Sequence, residues 1–205
     1  ETFVLSGSVS GIRKIVHSMS PSSIKSGDII VFLESSGIEA NGLTLAREIA
    51  KKLPDGYLTP LPDGRLYGEV LLEPAHIYCT FVEACLDAGI DIHYAVNITG
   101  HGWRKLMRAT QPFTYVVETV PKIPAVLEFI QKNGPVDDKE AYGTFNMGAG
   151  FALYVPEPEV AKIMKLSKAF DFGAVYAGHI EKSDGRKVII KPKDIEYLGE
   201  SLGVR

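Results

Sequence analysis

Asp28-Ile29-Ile30-Val31-Phe32-Leu33-Glu34-Ser35-Ser36-Gly37-Ile38-Glu39-Ala40-Asn41-Gly42-Leu43-Thr44-Leu45-Ala46-Arg47-Glu48-Ile49-Ala50 reads as a strand, a polar turn and a helix in that order. The first run is rich in Ile, Val and Phe and is bounded by Asp and Gly, as strands are. After Asn41-Gly42, the residues Leu43, Ala46, Ile49, Ala50 and Leu53 trace one apolar stripe at helical spacing. This unit sets the class: strands and helices sharing one core.

The same alternation continues outward. Further strands are expected at 2–10, 92–98, 113–118, 151–155, 174–181 and 187–191, each rich in Val, Ile, Phe or Tyr. Pro74 suits the first position of a second helix that stops before Gly89, with Ile77, Phe81, Ala84 and Ala88 as its buried face. Helices are also expected at 124–133 and 157–169, the latter carrying Val160, Ile163, Met164 and Leu166. Asp137-Asp138 heads a short helix as N-terminal caps. The last two strands are adjacent around the turn Ser183-Asp184-Gly185. Residues 53–68, which repeat Leu-Pro-Asp-Gly, read as a loop or lid. The expected fold is α+β, a mixed β-sheet covered by helices, in a single domain over 1–205.

Composition narrows the classes of function. A 45% apolar, 23% charged chain of 205 residues with net charge −3 gives no pointer to nucleic acid or an acidic membrane surface. No apolar run approaches the ~20 residues that cross a bilayer. Cys79 and Cys85, placed on one helix, lie on different faces and cannot pair, which fits a reducing compartment, the cytoplasm. The chain starts at Glu1 and runs straight into a strand-like segment, so it is expected to be part of a longer protein.

Three segments carry the chemistry available. Val96-Asn97-Ile98-Thr99-Gly100-His101-Gly102-Trp103 is a strand entering a glycine-rich turn followed by Arg104, Lys105 and Arg108. Glycines let backbone amides converge on an anion, and a docked phosphate would offset the clash of those cations with a helix N-terminus, roughly 0.3–1 kcal/mol each. Spacing alone favours a plain turn, since no P-loop Gly-Lys-Ser/Thr is present. Ser35, Ser36, Gly37, Asn41 and Gly42 form a second turn that suits a phosphate or nucleotide edge, or ordinary helix capping. Tyr142-Gly143-Thr144-Phe145-Asn146-Met147-Gly148-Ala149-Gly150 places Asn146 among glycines ahead of a strand, where it either lines a site or satisfies turn backbone. Of His17, His76, His93, His101 and His179 none has metal-ligand spacing; His93 reads as a satisfied sheet residue, and His101 alone is a functional candidate. No nucleophile elbow or reactive Cys/His pattern occurs.

In order along the chain these segments resemble the C-terminal domain of the AIR synthetase (phosphoribosylformylglycinamidine cyclo-ligase) family. Gly27-Asp28 before a strand, Ser35 to Gly42 opening a helix, Leu72-Glu73-Pro74-Ala75-His76-Ile77-Tyr78, Thr99-Gly100-His101-Gly102, and Tyr142, Thr144, Phe145, Asn146, Gly148 and Gly150 carry the resemblance, over 27–191. It implies ATP-dependent closure of formylglycinamidine ribonucleotide to aminoimidazole ribonucleotide. It also implies an N-terminal domain that makes a homodimer and supplies most of the ATP and Mg²⁺ site. The implied site residues are Ser35, Ser36, Gly37, Asn41, Gly42, Thr99, Gly100, His101, Gly102, Arg108, Asn146 and Gly148, around a phosphorylated small-molecule substrate. Departures stand at Glu39, where the family often has His, at Arg104-Lys105 in place of an acid and an amide, and at His76 in place of Arg. They keep open a paralogue that binds a phosphate ligand or regulates without cyclo-ligase activity. A sibling amidotransferase subunit is the third reading, disfavoured by residues 144–150.

Overall fold

The computed structural model describes residues 7, 8, 10 and 19–203; the strand expected at 2–10 falls mostly outside them, and His17 wholly. The seven strands are β1 Ile29–Glu34, β2 Tyr94–Asn97, β3 Phe113–Val117, β4 Ala149–Val155, β5 Ala174–Lys182, β6 Lys187–Ile190 and β7 Ile195–Leu198. They form one mixed sheet in the order β2-β4-β1-β5-β3-β6-β7, antiparallel except for the parallel pair β3–β6.

β1 is apolar without alternation because both of its faces are covered. Ile30 and Phe32 enter a large core with Ala46, Trp103, Leu127 and Tyr142, while Ile29, Val31 and Leu33 enter a second core with Phe81, Cys85 and Ile163. The first core lies under helices α1 Leu43–Lys52, α4 Ala125–Asn133 and α5 Asp138–Thr144; short α2 Tyr67–Val70 joins it through buried Tyr67 and Val70. The second lies under α3 Tyr78–Asp87 and α6 Glu157–Leu166. Burying a side chain such as Phe32 or Leu33 contributes about 1.5–3 kcal/mol, so β1 is the spine of the domain. Asp137 caps α5 as expected, its carboxylate accepting the Glu140 N–H at 2.7 Å.

Four expectations are corrected. The last two expected strands, β5 and β6, are not a hairpin: β3 lies between them, and the connection steps across two inter-strand spacings, about 10 Å, within the reach of its four residues at ~3.3 Å each. α3 starts at Tyr78, not at Pro74, and Ile77 is 70% exposed instead of buried. Tertiary contacts override the helix signal there: the Pro74 carbonyl accepts the Ser36 hydroxyl at 2.9 Å, and His76 packs on Phe172 with ring centroids 5.1 Å apart, drawing 74–77 out as an extended strap. The face of α3 that is buried comprises Tyr78, Phe81 and Cys85. Residues 53–68 are not a bare loop, since they hold a 3-10 turn Gly56–Leu58 and a bridge between Pro60 and Leu66.

Candidate functional site

β1 and β2 both run antiparallel to β4, so the carboxyl ends of β1 and β2 and the amino end of β4 meet at one end of the sheet. The three sequence-derived segments are the loops at that end. The Ile98 N–H bonds the Gly150 carbonyl at 2.9 Å and the Ser35 N–H bonds the Gly148 carbonyl at 3.0 Å.

Asn146 is the brace. It is 4% exposed and uses its whole amide: Oδ1 accepts from the Ser35 hydroxyl at 2.8 Å and the Gly148 N–H at 3.0 Å, while Nδ2 donates to the carbonyls of Gly37 at 2.8 Å and Ile38 at 3.3 Å. Its own carbonyl accepts the Trp103 indole N–H at 2.6 Å. Asn41 ties the first loop to the third by donating to the Thr144 carbonyl at 2.5 Å, and its Oδ1 would lie 3.7 Å from a Cβ added at Gly100. Gly102, at φ +49, sits so close to the third loop that an added Cβ would lie 2.3 Å from the Tyr142 carbonyl oxygen. The structure therefore brings together Ser35, Ser36, Gly37, Asn41, Gly42, Thr99, Gly100, His101, Gly102, Asn146 and Gly148. Arg108, exposed at the end of the 3-10 helix Gly102–Met107, makes none of these loop-to-loop hydrogen bonds among the described residues.

Backbone strain concentrates here. Among the described residues, Glu39 (φ 50), His101 (φ 76), Met147 (φ 42) and Asp194 (φ 53) are the non-glycine residues at positive φ, and the first three lie one in each loop. A left-handed conformation costs such residues roughly 1–2 kcal/mol each, and it persists where the surroundings dictate it, as at binding sites.

The basic residues divide by role. The turn is followed by a six-residue 3-10 helix, not by an α-helix whose dipole would hold a phosphate. The Arg104 guanidinium donates to the carbonyls of Gly143 at 2.6 and 2.9 Å and Ser201 at 2.6 Å, and more weakly to His101 at 3.3 Å, so it acts as a clamp between loop and C-terminal segment. The Lys105 ammonium donates to the Thr99 hydroxyl. Burial, then the neighbouring Arg108 charge, lowers its pKa. The amides of Gly100 and His101 make no hydrogen bond among the described residues.

Two features escaped sequence reasoning. A cleft of about 580 Å³ opens beside Ser35, lined by Glu34, His76, Lys168, Phe170 and Phe172. The Tyr78 hydroxyl lies 2.9 Å from the Glu34 carbonyl and 2.8 Å from Glu39 Oε1, which also accepts the Ser36 N–H at 3.3 Å. Tyr78 ends the segment 72–78, but its partners are far away in sequence. His93, 5% exposed, is held through Nδ1 by both Asp28 oxygens at 2.8 and 2.9 Å, a satisfied buried histidine at the other end of the sheet.

Residues 25–191 match the family described as AIR synthase related protein, C-terminal domain. The chain is 36% identical over 207 aligned positions to the phosphoribosylformylglycinamidine cyclo-ligase of Methanococcus vannielii, covering 97% of this chain and 57% of that protein. It is 34% identical over 192 positions to the enzyme of that name from Methanocaldococcus jannaschii, covering 91% and 55% respectively. The chain thus spans little more than half the length of the relatives it matches. Among solved structures, E. coli HypE, a hydrogenase maturation protein, shares the fold with a TM-score of 0.57 at 14% identity, over 91% of this chain and 53% of that one.

Proposed function

Because the chain belongs to the AIR synthase related family by its C-terminal domain, we propose that it is the C-terminal half of an ATP-dependent cyclo-ligase. The whole protein closes formylglycinamidine ribonucleotide to aminoimidazole ribonucleotide, releasing ADP and phosphate. The observation that carries this reading is the convergence of three braced loops, each holding one residue in a left-handed conformation, at one end of the sheet. Phosphoryl transfer with ring closure asks for positioning and charge neutralisation more than for a protein nucleophile. The unpaired amides of Gly100 and His101, with Lys105 behind Thr99, suit a phosphate group of the substrate or nucleotide. Ser36 and Asn41 donate within the protein, to the carbonyls of Pro74 and Thr144, and with Asn146 they hold the loops that present those amides.

Among the described residues no group of three His, Cys, Asp or Glu side chains is placed to hold a metal ion. Mg²⁺ is commonly held by only one or two carboxylates together with substrate phosphates and water; following the family resemblance, we assign most of the ion and ATP site, and the homodimer contact, to the N-terminal domain. Two free thiols, Cys79 exposed and Cys85 buried, accord with a cytoplasmic protein. Arg104 was one ground for a non-catalytic paralogue; with its guanidinium bound to carbonyl oxygens, it no longer argues for a different ligand. The test is steady-state turnover of the full-length protein with formylglycinamidine ribonucleotide and ATP, following ADP and the imidazole product. Saturable release of both supports the reading, and no turnover with correctly folded protein overturns it.

A further inference from the structure

Glu39 is a non-glycine residue of the first loop held at positive φ. Its backbone is left-handed at φ 50, and its carboxylate is turned back under Tyr78. Oε1 is occupied by the Tyr78 hydroxyl and the Ser36 N–H. Oε2 accepts no hydrogen bond among the described residues and lies 2.6 Å from where a Cβ on Gly150 would stand, so a side chain at 150 would displace it. Since a carboxylate offers about four lone-pair sites, two remain open on Oε2.

Tyr78 is a firm anchor for this arrangement. Its ring stacks on Phe151 at a centroid distance of 5.3 Å, and burial, then the Glu39 charge, pushes its hydroxyl pKa upward, so it stays a donor. No Lys, Arg or His forms an ion pair with Glu39 among the described residues. A half-buried carboxylate held by strained backbone and a buried tyrosine, with one oxygen lacking a hydrogen-bond partner and no ion-paired cation among the described residues, is suited to a ligand that brings N–H donors and positive charge.

We propose that Glu39 is a specificity-determining residue that accepts an N–H of the substrate's amidine on Oε2, with Tyr78 as its positioning residue. This rests on the cyclo-ligase reading, in which the ligand carries an amidine. An amide in the same place offers a carbonyl oxygen and no positive charge, so Glu39 would separate the amidine from its amide counterpart.

The experiment compares binding of the amidine ribonucleotide and of the analogue with an amide in its place, by calorimetry on the full-length protein and its Glu39→Gln variant. Glu39→Gln should weaken the amidine ligand at least tenfold, raising KM with kcat changed much less, and leave the amide analogue within twofold. Glu39→Gly, which relieves the left-handed strain, should show the same loss with an unchanged or higher Tm, so misfolding is not the cause. Equal losses for both ligands would make Glu39 a structural residue and overturn the proposal. So would an unchanged amidine affinity, or a wild type that binds the two ligands equally. Absence of turnover by the wild type would instead defeat the cyclo-ligase reading, while the binding comparison still decides the role of Glu39.

Discussion

Replacing Asn146 by alanine removes the brace between the loops, and the structure sets the size of the loss. Of the four groups that the side chain satisfies, the Ser35 hydroxyl is on a partly exposed residue and can turn to water, and the Ile38 carbonyl is bound only at 3.3 Å. The Gly148 N–H and the Gly37 carbonyl belong to buried residues and are left without partners. An orphaned buried polar group costs roughly 1–3 kcal/mol, so Asn146→Ala should destabilise the chain by about 4 kcal/mol. At ~2–4 °C per kcal/mol for a domain of this size, Tm should fall by about 8–16 °C. Urea unfolding at constant m-value measures the loss directly. Asn133→Ala is the control, because that amide makes one exposed bond to the Phe129 carbonyl and its removal should stay within about 0.5 kcal/mol. A loss below about 1 kcal/mol for Asn146→Ala would refute the reasoning, since the two orphaned groups must then have found other partners and the loops would not depend on the brace.

Asp28→Ala should cost about 1–3 kcal/mol in urea unfolding, because it takes the buried partner from His93 Nδ1 and the acceptor from the Lys25 N–H; no measurable change would show that the contact is not structural. Gly100→Val should abolish binding of a phosphate-bearing ligand to the full-length protein with Tm little altered, since the nearest atom to an added Cβ is Asn41 Oδ1 at 3.7 Å; unchanged binding would remove Gly100 from the site. Hydrogen bonds from Lys193, then from Gln131, hold the Asp138 carboxyl below its ordinary pKa. A depressed folded pKa gives stability that is present above the unfolded value and is lost as pH falls through the folded one. The stability gap between the chain and Asp138→Asn should therefore be constant near neutrality and close in the acid range. The gap should be under about 1 kcal/mol, because the pair is partly exposed; a gap that widens on acidification contradicts the assignment.

What could be read in the sequence was local. The run from β1 through its turn into α1 shows its strand and helix character within single segments, and the structure places those elements within a residue of the expected bounds. β7 was not foreseen: it is a four-residue edge strand after Pro192 and left-handed Asp194, with Ile195 and Tyr197 inward and Glu196 and Leu198 outward, too short to stand out. The insertion of β3 between β5 and β6 is a non-local choice, and the turn at 183–185 looks the same whether its strands pair or step over a third. The strap at 74–77 likewise depends on Ser36 and Phe172, neither near in sequence.

The site divides in the same way. Ordered motifs located the three loops, but the bonds that assemble them join residues 103 to 111 apart, Asn41 to Thr144 and Ser35 to Asn146. No residue type announces that Glu39, His101 and Met147 adopt left-handed backbone, since each is an ordinary side chain forced there by its neighbours. The glycines also change meaning. Gly102, read as part of an amide cradle, and Gly150, read as part of the turn around Asn146, turn out to be glycine because another group occupies the space a Cβ would need: the Tyr142 carbonyl at Gly102, the Tyr78 hydroxyl and Glu39 carboxylate at Gly150. Gly100 alone of these three keeps ordinary room around it and an unpaired amide. The glycine-rich pattern therefore encodes two things at once, close packing of loop on loop and one open point for an anion. Packing that leaves no slack is what lets the strained residues stay where a ligand needs them.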